Sequence, residues 1–168
     1  MRSKIQKIII ASLIAALACV ATMLIKIPSP MQGYINLGDC IVLLAGWMLS
    51  AGYGFCAAGL GSALADLFSG YATYAPATFL IKGGMALIAF GCVKLLQKRM
   101  GKLPARIIGG VLAELFMVAG YLVFESFLYG FVPSLVNIPA NCVQGVAGLI
   151  IGLLLIKVFE KADIGISH

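Results

Sequence analysis

The chain alternates between long apolar runs and short segments rich in Gly, Pro or charged residues. The apolar runs predict six helices, at residues 8–25, 40–50, 54–68, 77–97, 107–128 and 134–160. A membrane-spanning helix needs about 20 apolar residues, so the second and third helices would cross only with tilt or local thinning of the bilayer. The pattern predicts an all-α fold: a polytopic membrane protein folded as a six-transmembrane-helix bundle. Residues 1–168 are expected to form a single integral membrane domain.

The segments between the apolar runs predict turns and a cover. Asp39 stands immediately before the second run, where an N-cap is expected, and residues 51–54 (AGYG) predict a tight turn before the third. Residues 98–106 (KRMGKLPAR) predict a basic loop. The connector 26–38 and the loop 69–76 are rich in Tyr, Asn, Gly and Pro. We expect these two segments to fold over one end of the bundle as a lid.

Composition supports the membrane assignment and narrows the chemistry. Of the 168 residues, 62% are hydrophobic and 11% are charged, and the mean hydropathy is +1.07. Soluble domains carry about 45–50% apolar and about 25% charged residues. The five cysteines are scattered and His168 is the single histidine, so we expect no metal site. Without a Walker A sequence, or a histidine to activate Ser62 in the GLGS stretch, we expect no enzyme, no catalytic residue and no cofactor.

The basic residues predict the orientation of the chain. If both termini are cytoplasmic, ten of the twelve Lys and Arg residues, in segments 2–7, 94–106 and 157–161, fall on the inside. Only Lys26 and Lys82 fall toward the outside, as the positive-inside rule favours. The sequence therefore predicts a multi-pass protein of the bacterial plasma membrane, and no nucleic-acid partner is needed to explain its charge. The loop at 98–106 is expected to lie beside anionic lipid head groups of the bilayer.

Polar side chains within the apolar runs mark the candidate site, because such groups are expensive in a membrane and need a partner or a function. Two stripes follow helical spacing. They consist of Glu114, Tyr121 and Glu125 on the fifth helix, and of Asn137, Asn141 and Gln144 on the sixth. Amides, tyrosines and a few charges in a concave site suit a small neutral or zwitterionic heterocycle. The predicted substrate-binding set is Asn36, Asp66, Tyr74, Lys82, Tyr121, Glu125, Asn137 and Asn141.

Structural interpretations of the same residues remain open. Asp66 and Lys82 can neutralise each other as a buried ion pair, and Lys82 can also extend to the outer interface. The Asn and Gln stripe can join helices without touching a ligand. Glu114 lies nearer the inner half of its helix, and we prefer its pairing with the basic loop 98–106 to ligand contact. Trp47 is expected in an interfacial aromatic belt.

Small residues suggest a docking surface for a membrane partner. They recur at spacings of about four on the first and third helices, where they allow another helix to approach closely. Internal packing can account for one such stripe, so the presence of two leaves a surface available for a partner. The stripe on the first helix includes Ala11, Ala15 and Ala18.

Two sequence blocks carry a family resemblance. YINLGD at 34–39 follows Gly33, and ADLxxGYxxYAPxT occupies 65–78 and is followed by IKG at 81–83. In combination, these blocks resemble the substrate-binding S components of energy-coupling factor (ECF) vitamin transporters, most closely the riboflavin/hydroxymethylpyrimidine-type branch. The resemblance covers almost the whole chain.

The resemblance implies a substrate-binding subunit that captures a vitamin from outside and topples in the membrane to deliver it. It implies docking through Ala11, Ala15 and Ala18 onto a transmembrane scaffold subunit that is driven by two cytoplasmic ATPase subunits. Within the family, hydroxymethylpyrimidine or pyridoxine suits a small pocket of amides and tyrosines. Riboflavin, which needs a larger cavity and more ring faces, and queuosine precursors are the alternatives.

Two other classes of function stay open at this stage. An assembly subunit would use the small-residue faces and leave the pocket empty. A stand-alone proton-coupled secondary carrier would transport without ATPase partners, with Asp66 or Glu125 carrying the coupling proton. The chain lacks the long inverted repeats that such carriers often show, and this disfavours the carrier.

Overall fold

The computed structural model describes residues 4–29 and 34–161, and these parts are nearly all helical. Arg2, Pro30 and His168, which enter the predictions above, lie outside the described residues, as do residues 31–33 of the connector. In chain order the elements are α1 (Lys4–Leu24), β1 (Lys26–Pro28), β2 (Tyr34–Asn36), α2 (Gly38–Met48), α3 (Ala51–Phe68), α4 (Ala75–Met100), α5 (Lys102–Tyr129), α6 (Phe131–Ser134), a 3-10 turn (Leu135–Asn137) and α7 (Ile138–Lys161).

Among the described residues, four helical segments are long and apolar enough to cross a membrane. They are Lys4–Leu24, Ala75–Met100, Lys102–Tyr129 and Phe131–Lys161. The two remaining long helices, α2 and α3, have 11 and 18 residues, in line with the prediction that the second and third helices are short. The predicted order of six helices is therefore present, whereas the number of membrane crossings and the side of the termini stay predictions.

Helix α2 forms the centre of the bundle. All of its residues, Gly38 to Met48, are buried, and α1, α3, α4 and α7 pack around it. Gly46 allows the close approach of α4, because a Cβ at this position would lie 2.5 Å from the Ala86 carbonyl oxygen. The 11 residues of α2 are too few to span the bilayer alone, and the short second run instead forms the core.

A predicted loop and a predicted turn between helices are both wrong. The basic loop at 98–106 does not exist as a loop: α4 and α5 are separated by Gly101 alone, whose φ of +86° glycine adopts without strain. Pro104 is tolerated because it falls in the first turn of α5. The turn predicted at 51–54 is also wrong, since α3 already begins at Ala51.

The connector 26–38 contains a short hairpin that the pattern does not reveal. Strands β1 and β2 pair antiparallel, with Lys26 opposite Asn36 and Pro28 opposite Tyr34. Three-residue strands are too short for an alternating pattern to stand out. The hairpin contacts the turn between α3 and α4, because the Lys26 ammonium donates to the Ser69 hydroxyl at 2.7 Å. The two segments predicted to form a cover therefore touch each other.

Candidate functional site

A polar cavity of about 40 Å³ opens at the end of the bundle where α3 ends and α4 begins. Strand β2, the α3–α4 turn and helices α4, α5 and α7 supply its walls. The lining residues are Ser29, Tyr34, Asn36, Asp66, Tyr71, Tyr74, Thr78, Tyr121, Glu125, Asn137, Asn141 and Gln144. All but one of the residues predicted for substrate binding are among them, so the polar stripes do converge in one place. Their role in binding stays a prediction.

Tyr34 holds the Asp66 carboxylate on the β2 side of the cavity. The Tyr34 hydroxyl donates to Asp66 Oδ1 at 2.6 Å, and the ring of Tyr34 lies 4.9 Å from that of Tyr71. Burial and the neighbouring Asp66 charge raise the pKa of Tyr34 well above its ordinary value, so this hydroxyl stays a proton donor. Asp66 Oδ2 is buried and has no hydrogen-bond partner among the described residues.

Glu125 forms a second carboxylate cluster in the cavity. Its Oε1 accepts from Asn137 Nδ2 at 2.9 Å and from the Tyr74 hydroxyl at 3.5 Å. The Tyr74 hydroxyl also lies 3.5 Å from that of Tyr129, and burial is the main cause that raises the pKa of Tyr74. Within the described parts of the chain, no donor reaches the buried Glu125 Oε2. Each cavity carboxyl thus has one oxygen held by the protein and one free.

A buried hydrogen-bond chain forms the floor of the cavity. Gln144 Oε1 accepts from the Asn36 backbone N–H at 2.8 Å, and Gln144 Nε2 donates to Asp39 Oδ2 at 2.7 Å. The other oxygen of Asp39 accepts from the Lys82 ammonium in a fully buried ion pair. The lining residues Asn36 and Gln144 are therefore fixed to the core, because both bonds and the ion pair exclude water.

The ion pair corrects two predictions. Lys82 pairs with Asp39, so the Asp66–Lys82 pair that the sequence left open does not form, and Lys82 lies beneath the cavity without lining it. Asp39 makes no side-chain cap: Leu37 is the N-cap residue of α2, and Asp39 sits in its first turn. A carboxylate beside an apolar run matches the cap pattern, yet complete burial required a charged partner here.

Two other predicted contacts are also wrong. Glu114 does not pair with the basic segment, because Arg106 Nη2 donates instead to Glu160 Oε1 at 2.8 Å. Trp47 is fully buried, and its ring packs beside Gly110 and Gly152 in the core. It therefore cannot belong to an interfacial belt.

Five lining residues were missed from the sequence. They are Ser29, Tyr34, Tyr71, Thr78 and Gln144. Tyr34 and Tyr71 belong to the two segments predicted to fold over the bundle, and Gln144 continues the stripe of Asn137 and Asn141. The sequence therefore contained a signal for each of these three residues. Thr78 Oγ1 lies 3.0 Å from the Tyr121 hydroxyl. This contact joins α4 to α5, and no pattern in the sequence indicates it.

The α1 alanines that were predicted to dock a partner pack largely inside the chain. Ala11 and Ala18 are buried and Ala15 is half-buried. They face α3, where a Cβ on Gly61 would lie 2.3 Å from the Ala15 carbonyl oxygen and 2.9 Å from the Ala18 Cβ. Among the described residues, no three His, Cys, Asp or Glu side chains group as a metal site would require.

Comparison with known proteins decides the family. A family model described as "ECF-type riboflavin transporter, S component" matches residues 2–161. The chain belongs to this S-component family. A solved structure described as "Structure and mechanism of the S component of a bacterial ECF transporter" aligns with a TM-score of 0.76 over 95% of this chain and 98% of that chain. At 24% identity, that match shows the shared fold.

A relative from Pyrococcus woesei, described as "Uncharacterized protein in gap 3'region", is 37% identical over 134 residues, covering 79% of this chain and 87% of that protein. Membership of the S-component family makes the chain a membrane protein and the substrate-binding subunit of an ECF transporter, and not an enzyme. The family also implies a vitamin substrate and partners in the form of a scaffold and ATPases.

Proposed function

We propose that this S component captures a flat heteroaromatic vitamin on the outer side of the bacterial cell membrane. The polar cavity is the proposed site. The observation that carries this proposal is the pair of buried carboxylate oxygens, Asp66 Oδ2 and Glu125 Oε2, which lack hydrogen-bond partners among the described residues and belong to different helices, α3 and α5. A buried acceptor without a donor costs about 1–3 kcal/mol, so a ligand with donors at two separated points would relieve both.

Riboflavin is the first candidate substrate. It is the vitamin in the description of the matching family model, and its hydroxyl chain and ring N–H offer several donors. Four tyrosines line the cavity, more ring faces than the sequence suggested: Tyr34, Tyr71, Tyr74 and Tyr121. Aromatic faces favour offset or edge-on contact with a flat ring.

A single-ring substrate is the second candidate, and the size of the cavity favours it. The cavity of about 40 Å³ is far smaller than the 300–1,000 Å³ typical of ligand pockets, so a one-ring ligand requires less opening of the site than riboflavin does. Hydroxymethylpyrimidine and pyridoxine both combine one flat ring with hydroxyl donors. Asn137 and Asn141 would then form hydrogen bonds to the edge of the ring, since an amide both donates and accepts.

The proposed delivery step needs the partners that the family implies. We place both termini in the cytoplasm and dock α1 onto a transmembrane scaffold subunit with two ATPase subunits. Because Ala11 and Ala18 are buried, Ala15 is the one predicted docking residue with partial exposure, and exposed Ser12 and Ala16 adjoin it. Small side chains there would allow a scaffold helix to approach closely.

Calorimetric titration of the purified subunit tests the capture step without ATP. Riboflavin, hydroxymethylpyrimidine and pyridoxine are titrated separately into wild-type protein and into Asn141→Ala and Glu125→Gln. We expect one vitamin to bind, and each variant to weaken it about tenfold, which corresponds to about 1.4 kcal/mol. Asn141→Ala should leave expression intact.

Val143→Ala is the matched control, because Val143 lies on the same helix and is exposed away from the cavity. It should bind as the wild type does. The proposal fails if none of the three vitamins gives heat or a thermal shift with correctly folded wild-type protein, or if the control weakens binding as much as Asn141→Ala.

A further inference from the structure

Glu114 is a buried carboxyl group that does not line the polar cavity. It precedes Glu125 on α5 by about 16 Å, at 1.5 Å per residue, and it is 7% exposed. Two glycines of α7 leave the space that its side chain fills: a Cβ on Gly145 would lie 3.1 Å from Glu114 Oε2, and one on Gly148 would lie 3.2 Å from Oε1. The Glu114 carboxyl is thus enclosed in the core.

The polar group that Glu114 contacts is another carboxyl, that of Asp39. Both side chains adjoin Gly148, where a Cβ would lie 2.7 Å from Asp39 Cβ, and the two carboxyl groups are in hydrogen-bond contact. Among the described residues, no N–H group or alcohol donates to either oxygen of Glu114. A hydrogen bond between two carboxyl groups needs a proton on one of them, because a carboxylate only accepts.

The surrounding donors decide which carboxyl group carries that proton. Asp39 Oδ1 accepts from the Lys82 ammonium, and Asp39 Oδ2 accepts from Gln144 Nε2, so Asp39 is held as the anion. The single charge of Lys82 balances one carboxylate and not two. A second buried anion without a partner of its own is strongly unfavourable. Glu114 is therefore the group left to hold the proton.

The other helices packed around Glu114 do not change this balance. In the part of the chain that the structure describes, the ionisable groups that interact with Glu114 are Asp39 and Cys40 on α2 and Lys82 on α4. The Cys40 thiol donates to the Leu37 carbonyl oxygen at 3.0 Å and is neutral. Helix α7 faces Glu114 with glycines, so one cation and one anion surround it.

We propose that Glu114 is a neutral carboxylic acid that donates to the Asp39 carboxylate and thereby positions the floor of the polar cavity. Asp39 holds the Gln144 amide, whose Oε1 accepts from the Asn36 backbone N–H at 2.8 Å, and both Asn36 and Gln144 line the cavity. Glu114 is a positioning residue that acts on a ligand through these groups. Its effect on vitamin binding rests on the proposed function, whereas the shared proton does not.

Two substitutions of similar size separate the hydrogen bond from the volume of the side chain. Glu114→Gln keeps a donor, because an amide N–H can replace the acid O–H, whereas Glu114→Leu keeps only the bulk. Calorimetric titration of the vitamin should show a loss of about tenfold in Glu114→Leu, the effect of one hydrogen bond to a charged group. Glu114→Gln should restore most of that affinity. A side chain that only filled space would give the opposite order.

Infrared spectroscopy of the intact subunit in detergent at neutral pH detects the proton without a vitamin. A protonated carboxyl has a carbonyl band that a carboxylate lacks, and the chain has only six Asp and Glu residues. We expect this band in the difference spectrum between wild type and Glu114→Gln. Glu160→Gln is the matched control, because Glu160 accepts from Arg106 and its replacement should leave the band unchanged.

A difference spectrum without the carbonyl band would show that Glu114 is ionised and overturn the proposal. Equal losses of affinity in Glu114→Gln and Glu114→Leu, or no loss in either, would overturn the positioning role. If Glu114→Leu does not fold, Glu114→Gln and the infrared comparison still decide. If no vitamin binds the wild type, the capture proposal fails, while the infrared comparison still confirms or refutes the shared proton.

Discussion

At the scale of single residues, Lys82 connects the core to the polar cavity. Its ammonium neutralises Asp39 and lies 5.5 Å from the centre of the Tyr121 ring, which lines the cavity. Tyr121 in turn contacts Thr78. Lys82 therefore supports the site from below, through groups that face a ligand, without facing one itself.

Lys82→Met tests this supporting role. Removing one partner of a buried pair leaves the Asp39 charge uncompensated, which typically costs about 3–5 kcal/mol. We expect a loss of that size in the free energy of unfolding, measured by denaturant titration in detergent. Because Gln144 also bonds Asp39 and fixes Asn36, vitamin affinity should fall with stability.

The double variant Asp39→Asn/Lys82→Met separates charge from packing. It removes both charges, so it should be more stable than Lys82→Met alone. If the double variant loses at least as much stability as the sum of the two single variants, the ion pair is not what holds the floor of the cavity.

The sequence predicted the residues that line the polar cavity better than it predicted how those residues pair with one another. Asp66, Glu125 and the amides of α7 were predicted because polar groups stand out in apolar runs, and all of them line the cavity. Lys82 was misassigned because depth along a helix does not show which carboxylate lies across from it. Only the packing of α2 against α4 and α7 brings Asp39 to Lys82.

At the scale of elements, α1 and α3 come into backbone contact at Gly61. Any side chain there would meet the Ala15 carbonyl oxygen, which belongs to a rigid helix and cannot move aside as a side chain would. Small residues on both helices are therefore used inside the subunit, and the face of α1 that remains for a partner is the one carrying Ser12 and Ala16.

Gly61→Ala should destabilise the protein by about 1–3 kcal/mol through overpacking. Gly52→Ala on the same helix is the control, because nothing lies within 4 Å of the Cβ it would add. That change should be neutral, or stabilising by up to about 1 kcal/mol, because alanine loses less entropy in a helix. Thermal unfolding of both variants in detergent checks the contrast. Equal melting temperatures would mean that α1 and α3 do not approach this closely.

The helices could be predicted from the sequence, whereas the connections between them could not. Apolar runs located every long helix, because burial or lipid contact demands continuous hydrophobicity. The connections at Gly101 and Gly130 are single residues with positive φ. Charged and proline-bearing segments such as 98–106 look like loops, although a helix end exposed to water also accommodates them.

At the scale of the whole molecule, charge and cavity lie at opposite ends. Arg106 at the start of α5 pairs with Glu160 at the end of α7, and the basic segments at 94–106 and 157–161 meet there. The polar cavity opens at the other end, beside Ser69 and Tyr71. A binding subunit with this polarity would receive its ligand on the side away from its basic residues.

Accessibility of single cysteines in intact cells checks the orientation. The background replaces all five native cysteines with alanine, and Thr73→Cys or Lys98→Cys is added, both at exposed positions. A membrane-impermeant maleimide should label Thr73→Cys in intact cells and Lys98→Cys only after permeabilisation. The reverse pattern would invert the proposed topology.

The complete burial of α2 has a consequence for biosynthesis. With 11 residues, about 16 Å in length, α2 is too short to span the bilayer alone. Its Asp39 pairs with Lys82 and also bonds Gln144, which lies 105 residues further along the chain. At about 5–20 residues per second, the ribosome needs on the order of ten seconds to supply it. During that interval the face of α2 that α7 covers in the folded subunit stays open, so the core around α2 closes only after α7 has been synthesised.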